Sequence, residues 1–432
     1  MKKYFVIALV AVLVSIAFFA GRFSRPAPVY ELGELSAEEP LEDAFEDFIR
    51  AQRETVDLFR GSPFFEDDQE RAEAYRGYLY SLIGSIKAGA LQSKNHPRFM
   101  RAVDWTSKSG LDNPDNNYYI ARIHDDANYR IRGERGSTSN LIFQLVVGQP
   151  GVRGAGSSTN VSVLYHHELD IDAQGDFEII VSRDDPGPGV NWLPNGPGAE
   201  TLIVRHTHGE WRSERDGVLL IERIGAEGEG AMPLTPGTMA QGLREAAVSL
   251  FDRNATWMGY AERSWSSRAR NGISPPRGTQ GGLVGQYSAF GSWQLDNDQA
   301  LILSTARSDA SYQGIELGNL WFVSLDYETH TSSLNLEQME CSSDGRCYTV
   351  ISHRDPGVQN WLDTEGHRRG LIMMRWQGLD EPLAEVLHPR AELVSFKDIR
   401  ELLPADTAPF SSAQRRAQIQ ARRAAVHERF GG

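Results

Sequence analysis

The amino-acid sequence predicts a mainly β protein with helical additions, organised as two related β lobes joined by a helix. Three observations carry that expectation. Apolar and polar residues alternate in two separate blocks of short segments, a long stretch at helical spacing divides the blocks, and one pattern of strand, turn and loop occurs in both. At 432 residues the chain also exceeds what one hydrophobic core usually serves.

In the first block Tyr118–Ile123, Tyr129–Gly133, Leu141–Val147, Val161–Tyr165, Phe177–Val181, Thr201–His206 and Val218–Ile224 read as strands, punctuated by Gly, Pro and Asp. The second block offers Tyr287–Leu295, Ala300–Ala306, Leu320–Asp326, Leu336–Cys341, Cys347–Ser352 and Leu371–Trp376. Between them Met239, Leu243, Ala247, Leu250, Trp257, Met258, Ala261 and Trp265 recur at helical spacing, so a helix is expected over about 238–268. Upstream, Ser36 and Glu39 read as a capping box before Pro40. Leu41, Phe45, Phe48, Ile49, Val56 and Phe59 then mark one helix face. A second helix is expected over about 66–90, with Tyr75, Leu79, Leu82, Ile83 and Ile86 on one face. The resulting division is 1–30 (anchor or signal and linker), 31–95 (acidic helical region), 96–233 (first β lobe), 234–282 (connecting helix and loop), 283–390 (second β lobe) and 391–432 (helical tail).

The repeat is specific in its order. Phe177-Glu-Ile-Ile-Val-Ser-Arg-Asp-Asp-Pro-Gly187 leads to Asn191-Trp-Leu193, and Tyr348-Thr-Val-Ile-Ser-His-Arg-Asp-Pro-Gly357 leads to Asn360-Trp-Leu362. Each then enters a strand with a basic-aromatic end, through Arg205-His206 and Arg375-Trp376.

These residues, with Asn113-Pro-Asp-Asn-Asn-Tyr-Tyr119, Tyr129-Arg-Ile-Arg-Gly133, Thr331-Ser-Ser-Leu-Asn335 and Asp355-Pro-Gly-Val-Gln-Asn-Trp-Leu-Asp363, resemble the bacterial domain-of-unknown-function family 1214 from about His96 to Trp376. The resemblance implies that the lobes are β-sandwiches of jelly-roll character. It implies no reaction, because the family's biochemistry is unassigned. The N-terminal apolar run and the cysteine pair look like additions to the family's usual pattern.

The net charge of −14 disfavours binding to nucleic acid, whose phosphates it would repel. Residues 31–70 hold fourteen acids against three bases, which is most of that charge. Lys2 and Lys3 precede seventeen uncharged, largely apolar residues, Tyr4–Ala20, closed by Arg22 and Arg25. The run fits an uncleaved membrane anchor or a signal cut after Ala17, and either places the bulk of the chain in the cell envelope or periplasm. Cys341 and Cys347 flank an Asp344-Gly345 turn and are expected to form a disulfide, which agrees with an oxidising compartment.

For function, the expectation is a membrane-tethered envelope protein that binds a small organic or carbohydrate ligand between or within the lobes. The competing expectation is an enzyme using His353 and Asp355 as acid/base residues, since imidazole beside carboxylate suits proton transfer near neutral pH. The candidate ligand-binding residues are Asn113, Asp115, Arg354, Asn360, Trp361, Asp363, His367 and Arg375. Arg375 and Arg205 are also suited to buried pairs with Asp355 and Asp185. Asn-Trp has an architectural reading as well: Trp plugs the space between sheets while Asn caps the adjoining turn. His206 and His208 share a strand face and could chelate one ion, but no third ligand follows by spacing. The acidic loop 112–117 lacks the Gly and terminal Glu of a calcium loop. No motif calls for a cofactor. The arginine-rich stretch Ser411–Arg429 is expected to be helical and to dock on the acidic N-terminal helices or on anionic headgroups.

Overall fold

Two β-sandwiches share one strand order. The computed structural model describes residues 27–152, 159–278 and 282–431, so the apolar run 4–20 lies outside the described residues. Among those described, no helix is long and apolar enough to cross a membrane.

In the first lobe β1 (Met100–Arg101), β2 (Asn116–Arg122), β8 (Ala199–Thr207), β4 (Asn140–Val147) and β5 (Asn160–Tyr165) lie side by side in that order. The facing sheet is β7 (Asn191–Pro194), β6 (Asp176–Ser182), β3 (Tyr129–Glu134) and β9 (Leu219–Arg223). In the second lobe β10 (Gly272–Ile273), β12 (Tyr287–Gln294), β18 (Arg369–Gln377), β14 (Tyr312–Gly318) and β15 (Ser333–Asn335) form one sheet, with β11 (Arg277–Gly278) also on β12. Its facing sheet is β17 (Trp361–Asp363), β16 (Arg346–Ser352), β13 (Gln299–Ala306) and β19 (Arg390–Ser395). Strands β2 to β9 therefore map one by one onto β12 to β19. The match extends to the parallel pairs β6–β7 and β16–β17.

Alternation explains each core. In β6 Phe177, Ile179 and Val181 point inward while Asp176 and Glu178 are exposed. Tyr129, Phe143, Leu193 and Val204 complete the first core, and Trp293, Leu303, Ile315, Leu362 and Trp376 belong to the second. Each such side chain contributes about 1.5–3 kcal/mol by leaving water. Cys341 and Cys347 are bonded across the turn, where Gly345 adopts φ +80°. Closing so short a loop contributes about 2–3 kcal/mol.

Several expected strands are corrected. Residues 320–326 form a turn-rich loop, because the Asn319 side chain accepts from Trp321 N and Val323 N and Phe322 takes φ +62°. The turn drives Trp321 and Phe322 into an aromatic layer against the helices. Residues 336–340 form a turn held by Asn335 Oδ1, which accepts from Glu337 N and Gln338 N. Strand β14 was not anticipated, since its two glycines and Glu316 break the apolar pattern. A Cβ on Gly318 would lie 2.1 Å from Leu111 Cδ1 and 3.1 Å from Val323 O, so the buried Leu111 side chain would have to move. The second lobe also runs past residue 390, because β19 pairs with β13.

The long helices are α1 (Pro40–Gly61), α2 (Asp68–Gly89), α3 (Pro236–Ser267) and α4 (Ser412–Gly431). Thr235 caps α3 by accepting from Thr238 N, and Pro236 opens it. Ser36 Oγ does accept from Glu39 N, but α1 begins only at Pro40. Its buried face runs through Ala44, Asp47, Phe48, Ala51 and Thr55, leaving Phe45 half exposed. The buried face of α2 is not the aromatic-aliphatic stripe but Ala74, Gly77, Ser81, Gly84, Ser85, Ala88 and Gly89. Tyr75, Leu79 and Ile83 are exposed. Small residues win because they let backbones meet: a Cβ on Gly89 would sit 2.5 Å from Ala246 N of α3.

The expected docking of the C-terminal helix on the acidic helices is also corrected. Helix α4 lies across the junction of the lobes, where Arg422 Nη2 donates to Ser333 Oγ (2.9 Å) and Arg429 Nη1 to Pro114 O (3.1 Å). Both guanidiniums stack on Trp211, at 4.5 and 4.3 Å from the ring centre.

Candidate functional site

The Asn-Trp repeat makes the same backbone hydrogen bonds in both lobes. Asn191 Nδ2 donates to Asp170 O and Glu178 O, and its Oδ1 accepts from Asp170 N. Asn360 does the same with Glu340 O, Tyr348 O and Glu340 N. Trp192 Nε1 donates to Ser182 O (3.0 Å) and Trp361 Nε1 to Ser352 O (3.2 Å). These bonds tie the short parallel strand to its neighbour, an architectural use of both residues.

His353 and Asp355 are not hydrogen-bonded to each other. His353 Nε2 faces Leu295 O (3.1 Å) and Nδ1 faces Thr364 Oγ1 (2.7 Å). A carbonyl can only accept, so Nε2 donates to Leu295 O, and in the neutral ring Nδ1 accepts from the Thr364 hydroxyl. Arg183, at the equivalent place in the first lobe, donates to Asp125 O. Both side chains thus fasten the strand's end to the loop that follows the lobe's first long strand. Asp355 accepts from Gly357 N (2.8 Å) and pairs with Arg415 of α4 (3.0 Å).

The remaining predicted residues are dispersed. Asp115 is buried and accepts from Trp211 Nε1 (2.7 Å), Asn335 Nδ2 (2.8 Å) and the Tyr312 hydroxyl (2.6 Å). Asn113 Oδ1 accepts from Asp115 N (3.0 Å). This loop is a keystone between the lobes. Arg354 is exposed over the Phe396 ring, and Asp363 accepts from Glu365 N. His367 is buried, and burial lowers its pKa. His206 and His208 are both buried beside Asp216, at 4.0 and 2.8 Å, and burial brings His206 down to about 4. One cluster not foreseen, Asp326, His330 and Glu365, brings potential metal-ligand atoms within 4.8 Å of one another. Asp326 there already accepts from Glu328 N and Thr329 N, and Glu365 from Asp326 N.

Only Arg375 of the predicted set reaches the cavity between the lobes, of about 320 Å³. Its walls follow from strand alternation. Leu202 and Val204 face the first core, so Thr201, Ile203 and Arg205 of β8 face out, beside Gln144 of β4 and Tyr118 of β2. Phe290, Met373 and Arg375 close the opposite side, while α2 and α3 contribute Lys87, Arg253, Trp257 and Tyr260. Five basic side chains (Lys87, Arg122, Arg205, Arg253 and Arg375) line the cavity against one carboxylate, Asp112. Lys87, Arg122 and Arg375 are ion-paired to Asp104, to Glu200 and Glu245, and to Glu316, so the positive excess rests on Arg205 and Arg253.

Neither arginine on the β8 and β18 strands pairs with Asp185 or Asp355. Arg375 is bonded to Glu316 of β14 and to Leu111 O. Burial pulls its pKa down, but the Glu316 carboxylate more than restores it, for a net rise. Arg205 Nη1 donates to Gln144 Oε1 at 2.6 Å. The repeat marked Arg205 and Arg375 as equivalent. Gln144, Arg253 and Tyr118 could not be foreseen, because nothing in their local sequence places them at an interface.

No family model and no curated protein matches the chain. It is similar to the crystal structure of an uncharacterized protein from Burkholderia cenocepacia, with 28% identity and a TM-score of 0.76 over 84% of this chain and 99% of the other. The VPA0106 protein from Vibrio parahaemolyticus overlaps less well, at 11% identity and a TM-score of 0.42 over 74% and 98% of the two chains.

Proposed function

We propose that this chain is a membrane-tethered envelope protein that holds a small organic ligand between its lobes. The observation that carries the reading is the inter-lobe cavity itself: bounded by two sheets and two helices, walled by Trp257, Tyr260, Phe290 and Phe322, and supplied with a few convergent polar groups. Binding is favoured over acid/base catalysis because both His353 nitrogens are engaged in holding the fold.

The test is direct. Full-length chain, purified and then denatured, should release a small organic molecule in near-stoichiometric amount, identifiable by mass spectrometry. Ile203→Trp, which fills the cavity from β8, should carry none. An equal load on the filled variant would remove the cavity from consideration.

The envelope placement rests on the Lys2-Lys3 start, the run 4–20 and the agreement of the Cys341–Cys347 bond with an oxidising compartment. Both cysteines should resist alkylation in unreduced protein taken directly from cells and should label after reduction. Prompt labelling without reductant would argue for a reducing compartment instead.

A further inference from the structure

The duplication supplies an internal control for the charges in the cavity. Arg205 and Arg375 occupy the same place in equivalent strands, β8 and β18. Two residues earlier in each strand, Ile203 pairs across to Gln144 of β4, and Met373 pairs across to Glu316 of β14. Gln144 is therefore the counterpart of Glu316. Both are buried, at 1% and 2% exposure, and each accepts from its arginine's Nη1. One lobe neutralises its guanidinium; the other solvates it with an amide that carries no charge.

The amide's orientation is settled by its other bonds. Gln144 Nε2 donates to Asn160 Oδ1 and to Gly282 O, which leaves only Oε1 for Arg205. A second cation adds to the excess. Arg253 of α3 has no carboxylate partner among the described residues, and burial, reinforced by Arg122, brings its pKa down to about 10. The other cavity cations are matched: Arg122 with Glu200 and Glu245, Lys87 with Asp104, Arg375 with Glu316. Leaving guanidiniums unneutralised in a partly buried site is unfavourable for the empty protein, and a bound anion would offset it.

We propose that the cavity selects organic carboxylates with an apolar body, and that Arg205 anchors the carboxylate in the place that Gln144 leaves without a negative charge. A guanidinium fits a carboxylate through two parallel N–H donors, and Arg253 adds a further positive charge to the site. Trp257, Tyr260 and Phe290 receive the apolar body. The inference rests on the cavity reading above and adds the ligand's charge.

The experiment uses phenylacetate and its neutral isostere phenylacetamide as probes. Each is titrated calorimetrically into full-length chain in nanodiscs, with empty nanodiscs as the blank. Wild-type chain should bind phenylacetate at least tenfold more tightly than phenylacetamide. Gln144→Glu installs in the first lobe the carboxylate that the second already has. It should erase that preference by weakening phenylacetate at least tenfold more than phenylacetamide, while raising the melting temperature of the empty protein. Arg205→Gln should erase the preference as well, which keeps the test decisive if the first variant folds poorly. Equal affinities in the wild type, or a preference that survives both variants, would overturn the carboxylate assignment and leave the cavity reading standing. Binding of neither probe would likewise overturn it. Phenylacetate binding that persists in Ile203→Trp would instead bring down the cavity reading.

Discussion

Truncating Trp361 to alanine is expected to lower stability by about 3–5 kcal/mol, the range for deleting a buried large aromatic. Trp361 is 6% exposed, donates to Ser352 O, and lies 5.0 Å beneath the Arg415 guanidinium of α4. Removing it opens the space between β16 and α4 and strands Arg415 above a void. The equivalent Trp192→Ala should cost less, about 1–2 kcal/mol, because Trp192 is partly exposed and no corresponding helix covers it among the described residues. Urea unfolding of both variants checks this. Equal losses would mean that the cover supplied by α4 contributes nothing, and a negligible loss at Trp361 would end the architectural reading of the repeat.

A comparable loss is expected from Arg375→Met, which leaves the Glu316 carboxylate buried without its partner. Breaking a buried pair from one side costs about 3–5 kcal/mol. Changing both residues together, Arg375→Met with Glu316→Leu, should recover much of that, since no unpaired charge then remains. The equivalent Arg205→Met should cost no more than about 1.5 kcal/mol, because only a neutral amide loses its partner. Denaturation curves of the three variants decide the matter. Similar losses for Arg375→Met and Arg205→Met would show that the two guanidiniums are equally well neutralised, contrary to the bonding seen here.

What the sequence alone determined is what depends on local periodicity and on order along the chain. Phe177, Ile179 and Val181 alternate because a strand places every second residue on one face, and that pattern is readable without partners. The Asp-Pro-Gly and Asn-Trp-Leu recurrence identified the duplication, and the structure extends it to eight strands in each lobe, β2–β9 and β12–β19. The Cys341–Cys347 bond was legible because Asp344-Gly345 sets the hairpin that brings the thiols together.

Tertiary structure decided the rest, and each case turns on contacts between distant segments. The inward face of α2 went to Ala, Gly and Ser because close backbone approach to α3 outweighed burial of Tyr75 and Leu79. Residues 320–326 have the composition of a strand, but the Asn319 side chain turns them so that Trp321 can donate to Glu70 O of α2. His353 and Asp355 look reactive in sequence, yet Leu295, Thr364 and Arg415, brought from elsewhere, make them part of the frame. The contrast that defines the cavity, Gln144 against Glu316, emerges only when the strand register aligns the lobes, because a charge's balance depends on which side chain lies across the sheet.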